Sequence, residues 1–189
     1  MNPILKTRPA PQLVTTSRLS TKAALEASPD KPGPRTVPVQ LKVGWERFSD
    51  IIHEARHLIS RHHAEMSSEP FNPDWDLFYL YERAGSLGVW TARTIDSRRL
   101  VGYIVWIFTR GLHASSTIFA TADAIYLAPE WREGVIGYKF LKTAINAVRP
   151  RADIVKVEVN QLYEQGRMGV LLERLGFKHV GTVYQTNGR

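Results

Sequence analysis

Three groups of residues in this 189-residue chain are candidates for chemistry. The first is Arg132, Gly134 and Gly137, in a loop between the apolar run Ile118 to Leu127 and an apolar-periodic segment. A strand, a turn on Pro129 and a helix start bracketed by two glycines gather unpaired backbone N–H groups at one point. Such a point can hold a phosphate or pyrophosphate, although plain helix capping uses the same glycines. The second is Asp123, which interrupts the apolar run on the side expected for Ile125 and Leu127. A charge there is costly unless paired, so it has either a structural partner or a place at the opening of an active site. The third is His53-Glu54-Ala55-Arg56-His57, which fits the zinc-protease pattern His-Glu-x-x-His. At ~100° per residue both histidines fall opposite the apolar stripe of their helix, so a solvated face is expected and no metal.

The elements carrying these groups can be read from periodicity. Val37 to Val43 alternates as a first strand, and Trp45 to His63 is a helix with Phe48, Ile51, Ile52, Ala55, Leu58, Ile59 and His62 on one face. His62 is expected to be packed rather than to act as a ligand or base. Asp74 caps a short helix through Ala84 that turns Trp75, Phe78 and Tyr79 inward, with Leu80 a further candidate for that face, and ends at Gly85. Leu87 to Thr94 and Leu100 to Thr109 form a hairpin. The central strand comes next, and then a helix from near Gly134 with Ile136, Phe140, Leu141, Ala144, Ile145 and Val148 on its apolar face. Ile154 to Val159 reads as a strand, Gly166 to Leu175 as a helix and Phe177 to Tyr184 as the last strand.

Composition sets the outer bounds. With 43% hydrophobic residues the chain can build a core. No cysteine is present, which removes disulfides, thiolate zinc sites and a Cys nucleophile. No apolar run approaches ~18 residues, and the N-terminus lacks a signal-peptide core, so a cytoplasmic protein without a membrane partner is expected. Residues 1–38 hold seven of the eleven prolines and six Lys/Arg against two Asp/Glu, out of a net charge of +7. They read as a flexible, Pro-rich basic arm, with residues 39–189 as the folded domain. The basic excess suits anionic ligands and leaves nucleic acid open as a partner; a protein partner is a candidate for the arm.

Arg132-Glu133-Gly134-Val135-Ile136-Gly137 resembles motif A of the GCN5-related N-acetyltransferases, Gln/Arg-x-x-Gly-x-Gly/Ala, with the middle glycine displaced by one. Gly102-Tyr103-Ile104-Val105-Trp106 is similar to the family's third strand, and Leu171-Leu172-Glu173-Arg174-Leu175-Gly176-Phe177 to its closing helix-to-strand motif. The displaced glycine resembles a branch met in tailed-phage genomes, which would place the protein in a host cytoplasm or a virion. The resemblance implies an α/β (α+β) fold, with helices on both faces of a mixed, mostly antiparallel sheet whose fourth and fifth strands are parallel and splay apart. It further implies that acetyl-CoA is the co-substrate and a primary amine the acceptor. Backbone groups of Ile125, Tyr126 and Leu127 would hold the pantetheine arm. Glu133, Gly134, Val135, Ile136, Gly137 and Tyr138 would hold the pyrophosphate through N–H groups, and Arg132 through its charge. Asp123 is then the candidate base.

The family's usual acid, a Tyr five residues before the Gly-Phe phenylalanine, is Leu172 here, so Tyr184, Tyr163 or water must donate the proton. Glu65, Glu69, Tyr79 and Tyr81 would line the acceptor site. A second reading keeps the fold without catalysis, as a structural or interaction protein such as a phage assembly component anchored by its arm.

Overall fold

The computed structural model describes residues 12–16, 39–67, 69–159 and 167–182. Two compact units are distinguished, Met1–Glu158 and Val159–Arg189. In the first, six strands form one sheet in chain order: β1 (Gln12–Thr16), β2 (Val39–Glu46), β3 (Leu87–Thr94), β4 (Leu100–Gly111), β5 (Ala114–Leu127) and β6 (Ile154–Val157). Every neighbouring pair is antiparallel except β5 and β6, which run parallel. Helices α1 (Phe48–Met66) and α2 (Trp75–Arg83) connect β2 to β3, and α3 (Ile136–Val148) connects β5 to β6. The expected fold class is therefore the observed one, with one more strand at the N-terminal edge. That strand lies inside the stretch read as an arm: Gln12 pairs with Val43 and Thr16 with Val39.

Alternation sorts the core. Val89, Tyr103 and Val105 face one side of the sheet and pack with Phe48, Ile51, Ile52, Ala55 and Leu58 of α1. Trp75, Phe78 and Tyr79 of α2 pack against the same cluster, with the Phe78 ring 4.8 Å from that of Phe48. Leu41, Val43, Trp90, Ala92, Ile104, Trp106 and Phe108 are buried too, and strand parity puts them on the opposite side. α3 crosses β1 and β2 and buries the six residues of its expected stripe. Fully burying side chains of this size stabilises by about 1.5–3 kcal/mol each.

The helix ends show how local chemistry and tertiary contacts share the work. Asp74 Oδ1 accepts from Leu77 N at 3.0 Å, as its N-cap position requires. At the other end of α2, Gly85 has φ 68°, and Gly85 N and Ser86 N donate to Glu82 O and Tyr81 O. This is the left-handed stop that favours glycine. α1 has no side-chain cap of its own from Arg47. Instead Glu82 of α2 accepts from Ser49 N at 3.3 Å through both carboxylate oxygens.

In the second unit, α4 (Arg167–Arg174) closes on Gly176 at φ 85°, where Phe177 N donates to Leu172 O at 3.0 Å. The expected last strand is corrected over its described part: residues 177–182 are not in a strand. Phe177 and Val180 are an odd number of residues apart and would fall on opposite faces, so no continuous apolar face exists to bury. Val180 is 90% exposed. Val183 and Tyr184 lie outside the described residues.

A partly buried ion network joins sheet and helix. Arg93 on β3 donates from Nε to Glu46 Oε1 and from Nη1 to Glu54 Oε2, both at 2.8 Å, and from Nη1 to Arg98 O at 2.8 Å. Thr91 also hydrogen-bonds Glu46. Burial acts to raise the Glu46 carboxyl, but the Arg93 and Thr91 hydrogen bonds outweigh it and hold the pKa below the ordinary value. We predict that Arg93→Met lowers unfolding free energy by about 2 kcal/mol at neutral pH, less than for a fully enclosed pair because Glu54 is half in solvent. A depressed carboxyl stabilises above the ordinary carboxylate range and loses that contribution as pH falls. Urea titrations of the variant at neutral and mildly acidic pH should therefore converge on those of the wild type.

Candidate active site

The central strand carries the feature on which the site is built. In the β4–β5 ladder Val105 pairs with Ala124 and Trp106 with Ala122, so Asp123 is the extra residue of a β-bulge. Below the bulge Ala120 and Ala122 lie opposite Phe108 and Trp106; above it Ala124 and Tyr126 lie opposite Val105 and Tyr103. The even-numbered residues of β5 thus change sides at Asp123. Regular alternation would have kept Asp123 on the side of Ile125 and Leu127. The bulge removes that constraint, and the charge of Asp123 acts on Tyr103, across the sheet from Ile125 and Ile104.

The same position ends the parallel pairing. β6 accompanies β5 from Phe119 to Ala122 and no further. Asp153 starts this register by accepting from Ile118 N at 2.7 Å and donating its own N–H to Ile118 O at 2.9 Å. From Asp123 to Leu127, β5 has no strand partner on that edge among the described residues. Asp123 retains solvent contact and has no hydrogen bond or ion pair to a described residue. Desolvation by its surroundings raises its carboxyl pKa.

Past Leu127 the chain makes a short 3-10 helix, Pro129–Trp131, and enters α3. Gly134 has φ 62°, a conformation that disfavours a side chain, which gives the displaced glycine a backbone reason. Gly137 is different: a Cβ built there would meet nothing within 4 Å. No side chain caps the first turn of α3, and that turn holds no acid. The side chain of Ile136 is in the core, whereas Glu133 and Val135 are exposed. Tyr138 is half-buried, with Lys142 Nζ 5.8 Å from its ring centre.

A polar cluster, not foreseen from the sequence as a unit, flanks this turn on the α1 side. His62 Nδ1 and the Tyr103 hydroxyl lie 2.9 Å apart, and the His62 ring stacks on Tyr126 at 5.0 Å. Tyr126 donates its hydroxyl to Glu65 Oε1 at 3.2 Å. Arg132 donates from Nη2 to Glu65 Oε2 and from Nε to Leu127 O, both at 2.6 Å. The guanidinium of Arg132, expected to face phosphate, is thus engaged with protein acceptors, and the Leu127 carbonyl already accepts one hydrogen bond. Burial pushes the Tyr103 hydroxyl well above its ordinary pKa, with the charges of Tyr126, Asp123 and Glu65 adding to it. The sequence signal for this cluster was spacing alone: His62 on the apolar stripe, and Tyr103 in phase with Val105.

Other candidates fall apart from it. His53 and His57 are exposed, and Glu54 between them is bound by Arg93. Tyr79 packs in the α1–α2 core, while Glu69 and Tyr81 are exposed. Tyr184 and Tyr163 lie outside the described residues. Leu172, where the family's tyrosine would stand, is buried.

No family model and no curated protein matches the sequence itself. Solved structures do match. A ribosomal-protein-alanine N-acetyltransferase from Brucella melitensis biovar Abortus 2308 superposes with a TM-score of 0.62 at 16% identity, over 79% of this chain and 98% of that one. The fold is that of the GCN5-related N-acetyltransferases. An aminoglycoside acetyltransferase from an uncultured soil metagenomic sample gives 0.62 at 11% identity, over 79% and 99% of the two chains. A predicted acetyltransferase from Clostridium acetobutylicum, solved with acetyl-CoA, gives 0.58 at 13%, over 78% and 96%. Within this acetyltransferase fold the bulge, the glycine turn and the tyrosine cluster occupy one end of β5.

His62 makes the cluster sensitive to acid. Burial depresses its pKa; Glu65 opposes this, while Arg132 and His63 add to it. The folded protein therefore takes up this proton at lower pH than the unfolded chain does, so stability declines as pH falls through the ordinary histidine range. We predict that His62→Gln, which keeps a hydrogen-bonding group near Tyr103, flattens the melting temperature between about pH 7.5 and 5.5 relative to wild type. Thermal melts across that interval check it.

Proposed function

We propose that the protein is an acetyl-CoA-dependent N-acetyltransferase acting on a primary amine. The observation that carries this reading is Asp123: a solvent-exposed carboxylate with raised pKa and no partner among the described residues, on a bulge where β5 loses its neighbouring strand, on the strand that leads into the glycine turn. A carboxylate that is open to solvent, free of a described partner and raised in pKa suits a general base.

The residues present fit acetyl-CoA. Backbone groups of Ile125, Tyr126 and Leu127 adjoin the edge that β6 leaves open, which suits an extended amide arm. The N–H groups of residues 134–138 and the open space at Gly137 suit a pyrophosphate. In the reaction the acceptor nitrogen attacks the thioester carbonyl, the C–N bond forms and the C–S bond breaks. Asp123 takes the proton lost by the amine, directly or through water. The departing thiolate takes a proton from water. The neighbours named for ribosomal-protein alanine and for aminoglycosides support acetyl transfer on this fold. Leu172 favours a second reading, a catalytically silent protein of the same fold.

Calorimetry with acetyl-CoA separates the two, and we expect binding. Absence of binding at millimolar ligand would leave the silent reading. If the protein is an enzyme, Asp123→Asn should lower turnover by about 100-fold or more while leaving coenzyme A affinity nearly unchanged, since a base acts on the amine. Turnover equal to wild type would assign Asp123 to structure.

The two glycines test the cradle from the side of stability. Gly137→Ala should raise unfolding free energy by about 0.5–1 kcal/mol, since helix propensity improves and nothing clashes. Gly134→Ala should lower it by about 1 kcal/mol because of the left-handed backbone. Gly137→Glu should fold yet bind coenzyme A more weakly, by bulk and like charge. Chemical denaturation and calorimetry on the same preparations read both effects.

A further inference from the structure

Four charged side chains tie the last turns of α1 to the segment between β5 and α3. Arg61 Nη2 lies 3.6 Å from Glu130 Oε2, and Arg132 Nη2 lies 2.6 Å from Glu65 Oε2. Arg61 and Glu65 are one helical turn apart and share a face of α1, while Glu130 and Arg132 flank Trp131 in the 3-10 segment. The sign of charge reverses along both elements, so the pairing has one register. A slip by one turn would set Glu65 against Glu130 or Arg61 against Arg132. Arg132 is anchored again at Leu127 O and lies over the Tyr126 ring at 5.3 Å, and Glu65 holds the Tyr126 hydroxyl with its other oxygen.

Among the described residues the glycine turn itself has no anchor of the same kind. A Cβ at Gly134 would meet nothing within 4 Å, and no side chain caps the first turn of α3. The position of the turn is therefore inherited from residues 127–132. We propose that Arg61 and Glu65 are positioning residues: two opposed ion pairs fix the segment 128–134 to α1 and thereby set where the N–H groups of the turn stand. The consequence for ligand binding rests on reading that turn as a coenzyme A cradle; the mechanical role does not. Each pair is partly exposed, with side chains 36–45% accessible, so the effect is positional and modest and weakens in salt.

The test uses Arg61→Glu, Glu130→Arg and the double exchange in the full chain, leaving Arg132 untouched. Each single exchange sets like charges against each other, and the double restores attraction with reversed sign. In the unliganded protein, amide hydrogen exchange over residues 128–134 should quicken several-fold in each single variant and return towards wild type in the double. Coenzyme A affinity should fall about threefold to tenfold in the singles and recover in the double, the range expected when a surface attraction becomes a repulsion. Should a single exchange fail to fold, Arg61→Gln and wild type in high salt give the same readout at smaller amplitude. Exchange rates unchanged in the singles, or as fast in the double as in the singles, would overturn the proposal. If wild type binds no coenzyme A, the cradle reading fails while amide exchange still decides the clasp.

Discussion

One inserted residue governs this structure. A β-strand has a side-chain period of two, so a single extra residue moves everything beyond it to the other face. In β5 that residue is Asp123. Before it, the small side chains Ala120 and Ala122 sit opposite the rings of Phe108 and Trp106. After it, Tyr126 turns towards α1 and meets His62, Glu65 and Tyr103. The bulge also coincides with the last residue of β5 that β6 accompanies. A charged side chain, a change of face and an unaccompanied edge are thus consequences of one backbone irregularity. A regular strand would have buried the carboxylate or placed the tyrosine on the wrong side.

The electrostatics around this point change from the buried Tyr103 to the exposed Asp123. Tyr103 is almost wholly buried, and its hydroxyl is met by His62. Desolvation disfavours charge on Tyr103, Asp123 and His62 alike, raising the pKa of the two acids and lowering that of the base. Arg132 and Glu65, each partly in water, lie beside them as a salt bridge. The cluster thus grades from the buried Tyr103 hydroxyl to a partly solvated salt bridge at its rim.

Much of the frame was legible in the sequence because it rests on local periodicity. The buried face of α3 is the set Ile136, Phe140, Leu141, Ala144, Ile145 and Val148 that a 3.6-residue repeat selects. The cap at Asp74 and the stops at Gly85 and Gly176 are properties of a few consecutive residues. β1 was not legible: Gln12–Thr16 lies among prolines and basic residues and becomes a strand only because β2 offers an edge. The expected strand after Phe177 is absent over residues 177–182 for the converse reason, since no alternating face rewards it.

The candidate site divides in the same way. Composition and spacing were enough to specify the glycine turn, the lone carboxylate in an apolar run and the polar face carrying His53 and His57, because each is a statement about neighbours in the chain. It took the folded arrangement to make Asp123 a bulge residue without a described partner, and to set Arg132 against Glu65 and the Leu127 carbonyl. The same arrangement brought His62, Tyr103 and Tyr126 into contact. Those facts depend on which residues of different elements come within a few ångströms. Register and helix packing set such distances, and a one-residue shift in either would change every partner while leaving the sequence pattern intact.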